Sequence, residues 1–409
     1  MISSPSGGPP RDAVVLTIAR AIRGLGAGAL SIVIAVDLAS VGYSDLAIGL
    51  LLGLAMAGGS AGSILLPRWE RRWARRRILY VEAGFVGIGG LALWGALTVP
   101  ALLLVALLLG GIVTGGSDVS PLGALEQASM ADAVPRGRRT AAYAAYNLAG
   151  YVGAAVGALL AGLASPAFGA GSGGAHAPIF LFYALLGASL LPLYARLSPA
   201  VDRPPISTDR PTLSPESRRH VLALSSLFAV DAFGGGLIAN SLVAYYLVVR
   251  FDASASALGT IFFAASLASG LSLLLAVPIA RRIGLIPTIV FTHLPSSVLL
   301  MIFAAAPTLL AAGGLWVVRA TLSQMDVPTR QAYTQSIVPS EERSAAAGYT
   351  TAARSGQALG APITGAFLAA GGPWVAGPFY LAGSVKIAYD LAIYGRFRSV
   401  APDADRPSA

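Results

Sequence analysis

Residues 46–77 read LAIGLLLGLAMAGGSAGSILLPRWERRWARRR. The first 22 residues, Leu46–Pro67, carry no charge, and the next ten hold six arginines: Arg68, Arg71, Arg72, Arg75, Arg76 and Arg77. A helix needs about 20 mostly apolar residues to cross about 30 Å of hydrocarbon. A basic loop directly after such a run marks the side of the bilayer on which the loop stays. This stretch therefore predicts one membrane crossing and its polarity.

The remainder of the chain extends the reading. Across 409 residues, 55% are hydrophobic and only 11% charged, with a mean hydropathy of +0.71. Soluble domains carry about a quarter charged residues, and their surface must face water. The 48 glycines suit helices that pack closely in lipid through small residues. No cysteine is present, so disulfides and thiolate metal sites are excluded, and the three histidines His176, His220 and His293 are too scattered to predict a metal cluster. The net charge of +9 does not indicate nucleic acid, because the arginines lie between apolar runs rather than on one basic face. Met1–Pro10 lacks the basic start and cleavage site of a signal peptide and reads as a short polar tail before a retained helix.

Twelve apolar runs meet the length requirement: 12–36, 46–67, 78–98, 101–124, 140–165, 178–197, 219–247, 255–280, 287–306, 308–328, 344–370 and 374–397. Arginines recur after the second, fourth, sixth and eighth runs (Arg136, Arg138 and Arg139; Arg203, Arg210, Arg218 and Arg219; Arg281 and Arg282). Arg250 is the clear exception in the opposite loops. The positive-inside rule then predicts that both termini are cytoplasmic. The long polar stretch Ser198–Ser217, with Pro199, Pro204, Pro205, Pro211 and Pro215, is expected to form no regular helix and to link two halves. The expected units are a six-helix bundle at 1–197, a cytoplasmic linker at 198–218 and a second six-helix bundle at 219–409.

The halves repeat one another. Ile48-Gly49 matches Leu258-Gly259 and Arg71-Arg72-Trp73-Ala74 matches Arg281-Arg282-Ile283-Gly284, both at an offset of 210. Asp118-Val119 matches Asp326-Val327, Val134-Pro135 with Arg139 matches Val338-Pro339 with Arg343, and Gly26-x-Gly28 matches Gly234-x-Gly236. Two such repeats predict a path between them, with a binding region near the bilayer midplane.

The stretch Arg72-Trp73-Ala74-Arg75-Arg76-Arg77 resembles the loop signature between the second and third helices of the major facilitator superfamily, whose usual form is Gly-x-x-x-Asp-Arg-x-Gly-Arg-Arg. Here Arg71 stands where Asp is usual and Ala74 replaces Gly, which leaves Glu70 as the candidate acidic partner. Asp231-Ala-Phe-Gly-Gly-Gly, Met325-Asp-Val-Pro-Thr-Arg-Gln331, Pro339-Ser-Glu-Glu-Arg343 and Lys386-Ile-Ala-Tyr-Asp390 resemble a widespread prokaryotic subgroup of that family. The proline-containing fifth-helix motif of drug/proton antiporters is missing from Gly150–Gly157, and a similar Gly360-Ala-Pro362-x-x-Gly365 occurs in the eleventh run. The resemblance implies an all-α membrane protein of twelve transmembrane helices, arranged as two pseudo-symmetric six-helix bundles around a central cavity. It implies secondary active transport of a small-molecule substrate by rocking-bundle alternating access in the plasma membrane. Protons and membrane lipid are the other expected partners; no cofactor, metal or nucleic acid is expected, and one path between two bundles requires only a monomer.

Ionisable side chains inside spans mark function by default. At 1.5 Å per residue, Arg23 and Asp231 each lie ~16 Å from the cytoplasmic edge, at equivalent positions of the repeat. Two readings stand for them: Asp231 as a proton-coupling carboxylate tuned by Arg23 or Arg319, or a permanent Arg23–Asp231 pair that fixes packing. Arg319 and Arg354, with Lys386, also fall near mid-depth. Arg20, Arg23, Arg319 and Arg354 are candidates for an anionic substrate, because a guanidinium forks carboxylates and phosphates. Pairing with Asp118, Asp231 or Glu82 is their structural alternative. Asn147 and Asn240 read either as pocket-lining amides or as interhelical glue. Asp118 and Asp326 come out within roughly 5 Å of the inner edge. With Arg72, Arg139, Arg282, Arg330 and Arg343 they are expected to form inter-bundle gate salt bridges, with Glu126 and Asp132 in the same layer. His293 reads as a packing residue and Tyr245 as an interfacial aromatic.

The leading expectation is a proton-coupled carrier of a small organic solute, with export slightly favoured. An uptake symporter for an organic anion is its rival, and a non-transporting receptor or scaffold is the alternative from another class. The absence of a nucleophile elbow, a His-Glu-x-x-His helix and a Walker loop speaks against an enzyme and against ATP-driven pumping.

Overall fold

The computed structural model describes residues 10–97, 99–109, 120–135, 138–165, 176–202, 213–339, 342–398 and 400. These residues form sixteen α-helices and no strand. The first half contains α1 (Arg11–Ser40), α2 (Asp45–Trp69), α3 (Arg75–Ala96), α4 (Pro100–Leu108), α5 (Pro121–Ala133), α6 (Arg139–Ala164) and α7 (Ala177–Tyr194). The second contains α8 (Pro215–Leu237), α9 (Asn240–Phe251), α10 (Ala255–Ile283), α11 (Leu285–Ala304), α12 (Leu309–Ala320), α13 (Asp326–Ser336), α14 (Arg343–Ala353), α15 (Gly360–Ala370) and α16 (Gly377–Phe397).

These helices make the twelve spans of two six-helix bundles. Eight helical stretches are long and apolar enough to cross a membrane unaided. Of the others, the fourth, expected at 101–124, lies partly outside the described residues. The tenth span is broken between α12 and α13, the eleventh passes through a 3-10 turn at Arg354–Leu359, and the twelfth, α16, carries Lys386 and Asp390.

Caps explain several starts. Ser44 accepts from the Ala47 N–H at the head of α2, and Ser254, its counterpart at the offset of 210, accepts from the Ala257 N–H at the head of α10. Ser214 caps α8 with Pro215 in its first turn, where a missing N–H breaks no hydrogen bond. The polar linker is thus shorter than sequence suggested: Pro199–Asp202 forms a 3-10 turn and the seventh span's helix already begins at Pro215. Between α8 and α9 the ladder is interrupted, and the freed Leu237 carbonyl accepts from Thr364 Oγ1 at 2.7 Å.

The packing follows the repeat. Within the bundles, α1 lies on α6 as α8 lies on the α14–α15 segment, and α3 lies on α7 as α11 lies on α16. Between the bundles, α2 crosses α15 and α6 crosses α10. Both crossings rest on glycine pairs. A Cβ on Gly49 would lie 2.8 Å from Gly365 Cα, and one on Gly162 would lie 2.8 Å from Gly259 Cα. Glycine is required there because the partner is backbone, which cannot move aside as a side-chain tip would.

Candidate substrate cavity and buried charge networks

Both glycine crossings sit at the end of the molecule opposite the arginine-rich loops. Two hydrogen bonds join the bundles at the same end. The Tyr245 hydroxyl donates to Asp45 Oδ1 at 2.6 Å, and Ser256 Oγ donates to the Gly162 carbonyl at 3.2 Å. Tyr245 therefore ties the bundles together, beyond the interfacial role expected of it.

Behind this seal lies a cavity of ≈ 90 Å³ between the bundles, lined by residues of α1, α6, α9, α10 and α12. Two cations face it from opposite bundles, Arg20 on α1 and Arg319 on α12. The Arg20 guanidinium lies 5.7 Å from the Tyr146 ring centroid, and that of Arg319 lies 4.8 Å from the Trp316 ring centroid. Arg319 Nε is buried without a hydrogen-bond partner. Tyr151 donates to Gln324 Oε1 at 2.7 Å across the cavity, and Asn240 also lines it. Among the described residues, no carboxylate is part of the lining. Asn147 is half-buried on α6 and Arg354 opens the 3-10 turn; neither lines the cavity, although Arg354 lies within electrostatic reach of Tyr151.

Arg23 and Asp231 do not pair. Each belongs to a network inside its own bundle. Arg23 Nη2 donates to Glu126 Oε2 at 2.5 Å and to the Tyr146 hydroxyl at 3.1 Å, and Nη1 lies 3.4 Å from Ser120 Oγ. Tyr146 and Tyr194 donate to the two oxygens of Glu126 at 2.7 and 2.6 Å. Glu126 is wholly buried here, not in a surface layer near the inner edge.

In the second bundle, Lys386 Nζ donates to Asp231 Oδ1 at 2.6 Å and Arg330 Nη1 donates to Asp231 Oδ2 at 2.7 Å. Arg330 Nη2 lies 2.7 Å from Asp326 Oδ2. His293 Nδ1 lies 2.9 and 3.0 Å from the two oxygens of Asp390, and its Nε2 lies 3.5 Å from Asp231 Oδ1. Asp231, Asp326, Asp390, Lys386 and His293 are all buried.

The repeat explains the corrected pairing. Arg23 and Asp231 are equivalent residues, and so are Glu126 and Arg330 at the offset of 204 that relates Arg139 to Arg343. In each bundle an ion pair joins the first span to the fourth, with the polarity reversed. Arg330 and Asp326 therefore do not bridge the bundles. They also lie deeper than expected: α13 continues to Ser336, which puts Asp326 ~15 Å from the end of its helix. His293, read from sequence as a packing residue, is a member of the network.

The remaining gate candidates lie at the arginine-rich end. Arg72 and Arg282 are exposed, Arg139 Nε donates to the Val134 carbonyl and Arg343 Nε to the Gln335 carbonyl, each within its own half. Asp118 lies outside the described residues. In the arginine-rich loop, Arg75 Nε donates to Glu70 Oε1 at 2.8 Å and Nη1 meets Asp132 Oδ2 at 2.5 Å. Burial works against the charged form of Arg75, but these two carboxylates outweigh it and hold its proton above the ordinary range. Glu70 thus supplies the acid that the loop lacks at Arg71.

Comparison with known proteins bears on this architecture. The curated protein YJR124C of Saccharomyces cerevisiae, an uncharacterized membrane protein, is 24% identical over 427 aligned positions, covering 95% of each chain. A D-xylose–proton symporter superposes with a TM-score of 0.72 at 16% identity, covering 97% of this chain and 99% of that one. The human organic anion transporter MFSD10 superposes with a TM-score of 0.66 at 16% identity, covering 95% and 100%. A family profile described as Major Facilitator Superfamily matches residues 16–246. With these residues matched and the two-bundle fold in place, the chain belongs to the Major Facilitator Superfamily and is a multi-pass membrane transporter.

Proposed function

We propose that this chain is a proton-coupled secondary carrier of a small organic anion, working by rocking-bundle alternating access as a monomer in the plasma membrane. One observation carries the reading. The Arg319 guanidinium lines the inter-bundle cavity with its buried Nε lacking a hydrogen-bond partner, and Arg20 lines it from the other bundle. A lipophilic cation would meet like charge at Arg319, whereas a carboxylate or phosphate would be forked by it. MFSD10 shares the fold, and at 16% identity that likeness speaks to fold alone.

The bundles are assigned to 1–197 and 219–409, joined through 198–218, of which Pro215 onward already belongs to the helix of the seventh span. The arginine-rich end is assigned to the cytoplasm with both termini, so the sealed end faces outward. Arg72, Arg139, Arg282 and Arg343 are then placed to close the inner end when the bundles rock the other way. Arg20, Tyr151, Asn240, Arg319 and Gln324 give the cavity a polar lining, and on it we prefer uptake to export. Moving an anion into a negative interior costs about 2.3 kcal/mol per charge per 100 mV, a cost that a co-transported proton offsets.

The test is a thermal-shift screen of the purified protein against mono- and dicarboxylates, phosphate esters, amines and neutral amphiphiles. Ligand that binds only the folded state raises apparent stability by mass action. Stabilisation by anions that disappears in Arg319→Gln is the expected result. Stabilisation by amines alone, or anion shifts that survive in Arg319→Gln and Arg20→Gln, would sink the anion reading.

A further inference from the structure

The network around Asp231 contains three carboxylates, Asp231, Asp326 and Asp390; Lys386 and Arg330 contact the first two, and Arg319 of α12 lies within electrostatic reach of the same two. Among the described residues Asp390 is met by His293 and by no lysine or arginine. A buried carboxylate without a cationic partner costs several kcal/mol, roughly 3–5, so Asp390 calls for a positive charge beside it.

Geometry shows where that charge goes. His293 lies between two carboxylates, with Nδ1 against Asp390 and Nε2 toward Asp231. A neutral imidazole carries one N–H, so one of its nitrogens would turn a lone pair toward a carboxylate. An imidazolium donates from both sides. Nδ1 stands nearly equidistant from both Asp390 oxygens, at 2.9 and 3.0 Å, as suits an N–H shared by an ionised carboxylate. The charged and titratable groups facing His293 are Asp231 from α8, Lys386, Tyr389 and Asp390 from α16, and beyond Asp231 the pair Arg330–Asp326 from α13. From α10 and α12, which also pack on α11, no ion pair or hydrogen bond reaches it among the described residues.

We infer that the driving proton of this carrier is held by the His293–Asp390 couple on the ninth and twelfth spans, and that Asp231 senses it rather than carrying it. Asp231 already accepts from Lys386 and Arg330, so a proton there would displace two ion pairs. His293 can release one to water and stay hydrogen-bonded. In that step the Nε2–H bond breaks, the proton passes to water, and the neutral imidazole keeps Nδ1–H on Asp390. With His293 protonated, Asp231 has three cationic partners and can release one; with that proton gone it holds the two that remain more tightly. Arg330, whose side chain is 21% exposed against 8% or less for the others, is the partner best placed to be released. A move by Arg330 carries α13 of the tenth span, and the adjoining α12 holds Arg319 in the cavity.

This inference rests on the carrier reading above, but its test needs no substrate. The full-length protein in lipid nanodiscs, labelled with [15N]histidine, has three imidazoles to follow, and His176→Gln and His220→Gln leave the remaining signal assigned to His293. At neutral pH His293 is expected to show two protonated nitrogens and to lose one as the pH is raised. In Asp390→Asn the second proton is expected to be absent at neutral pH. On a solid-supported membrane, a pH jump should displace charge in the wild type and not in Asp390→Asn. A neutral His293 in the wild type overturns the inference. So does an imidazolium that never titrates while the protein remains folded, or one unchanged in Asp390→Asn. A failed anion screen with a titrating His293 would overturn the substrate class and leave the proton site standing.

Discussion

Replacing Glu126 by leucine tests whether the first bundle is held by a buried charge or by shape. The carboxylate is wholly buried and accepts from Arg23, Tyr146 and Tyr194. Its removal breaks the buried ion pair with Arg23, at a cost of about 3–5 kcal/mol. It also removes the acceptor of two buried hydroxyls, worth about 1–3 kcal/mol each. Tyr146 retains its contact with Arg23 and Tyr194 does not, so the expected total is roughly 5 kcal/mol. That compares with about 5–15 kcal/mol for the whole stability of a typical domain. Glu126→Leu should therefore unfold far below the wild type in detergent, followed by fluorescence-detected size exclusion after heating. The quadruple variant Arg23→Met, Glu126→Leu, Tyr146→Phe, Tyr194→Phe replaces these four polar groups at similar volume and should recover most of the loss. Buried ion pairs replaced by apolar groups are often neutral or stabilising. A Glu126→Leu protein as stable as the wild type, or no more harmed than the quadruple variant, would refute the reasoning.

Gly162→Val places a branched side chain where a Cβ alone already comes within 2.6 Å of the Ala255 carbonyl, so the outer seal should fail to form. With no native cysteine in the chain, Asn240→Cys reports on it: a membrane-impermeant maleimide added from the sealed side should label the double variant and not Asn240→Cys alone, and equal labelling would disprove the seal. Glu342 carries a pH dependence. Its carboxylate is held below its ordinary range first by the Ser217 hydroxyl and then by the Ser214 N–H and hydroxyl. Because the folded value is the lower one, the stability it adds is present above the unfolded value near 4.3 and is lost as pH falls through the folded one. The melting-temperature gap between wild type and Glu342→Gln should be small but measurable at neutral pH, since solvent screens this site. It should close in acid, and a gap that stays constant would disprove the assignment.

How much of this was legible beforehand depended on what each level of the sequence encodes. Apolar length and arginine placement are local properties, and they led to twelve spans and to the two related bundles. The linker was overestimated because its prolines were read as breakers, although Pro215 sits in the first helical turn, where proline is tolerated. The pairing of buried charges is a property of helix rotation, which depth alone does not reveal. Arg23 and Asp231 matched in depth and opposed in sign, yet face into different bundles. The repeat held a better clue: extending the offset of 204 from Arg139 and Arg343 to Glu126 gives Arg330, of opposite charge. Two equivalent pairs are more economical than one pair across the interface. Burial of His293 against Asp390 had no comparable signal, because nothing local distinguishes a packed histidine from a charged one.

The two networks share a position and differ in what they leave over. In the first bundle one arginine meets one carboxylate, and two tyrosines complete the acceptor set of Glu126. That pair is completed by hydroxyls rather than by an imidazole. In the second bundle the equivalent pair carries reversed polarity and has gained two carboxylates, a lysine and an imidazole. Its charge changes with the proton on His293, and one of its cations lies on the broken span that also carries Arg319 to the cavity. If both networks were clamps, exchanging either for apolar groups would change stability alone. The proposal requires an asymmetry. Removing the first network by the quadruple exchange should leave the pH-jump current intact, whereas Asp390→Asn should abolish that current while the protein still folds. The reverse pattern would place the moving charge in the first bundle and make the second the static one.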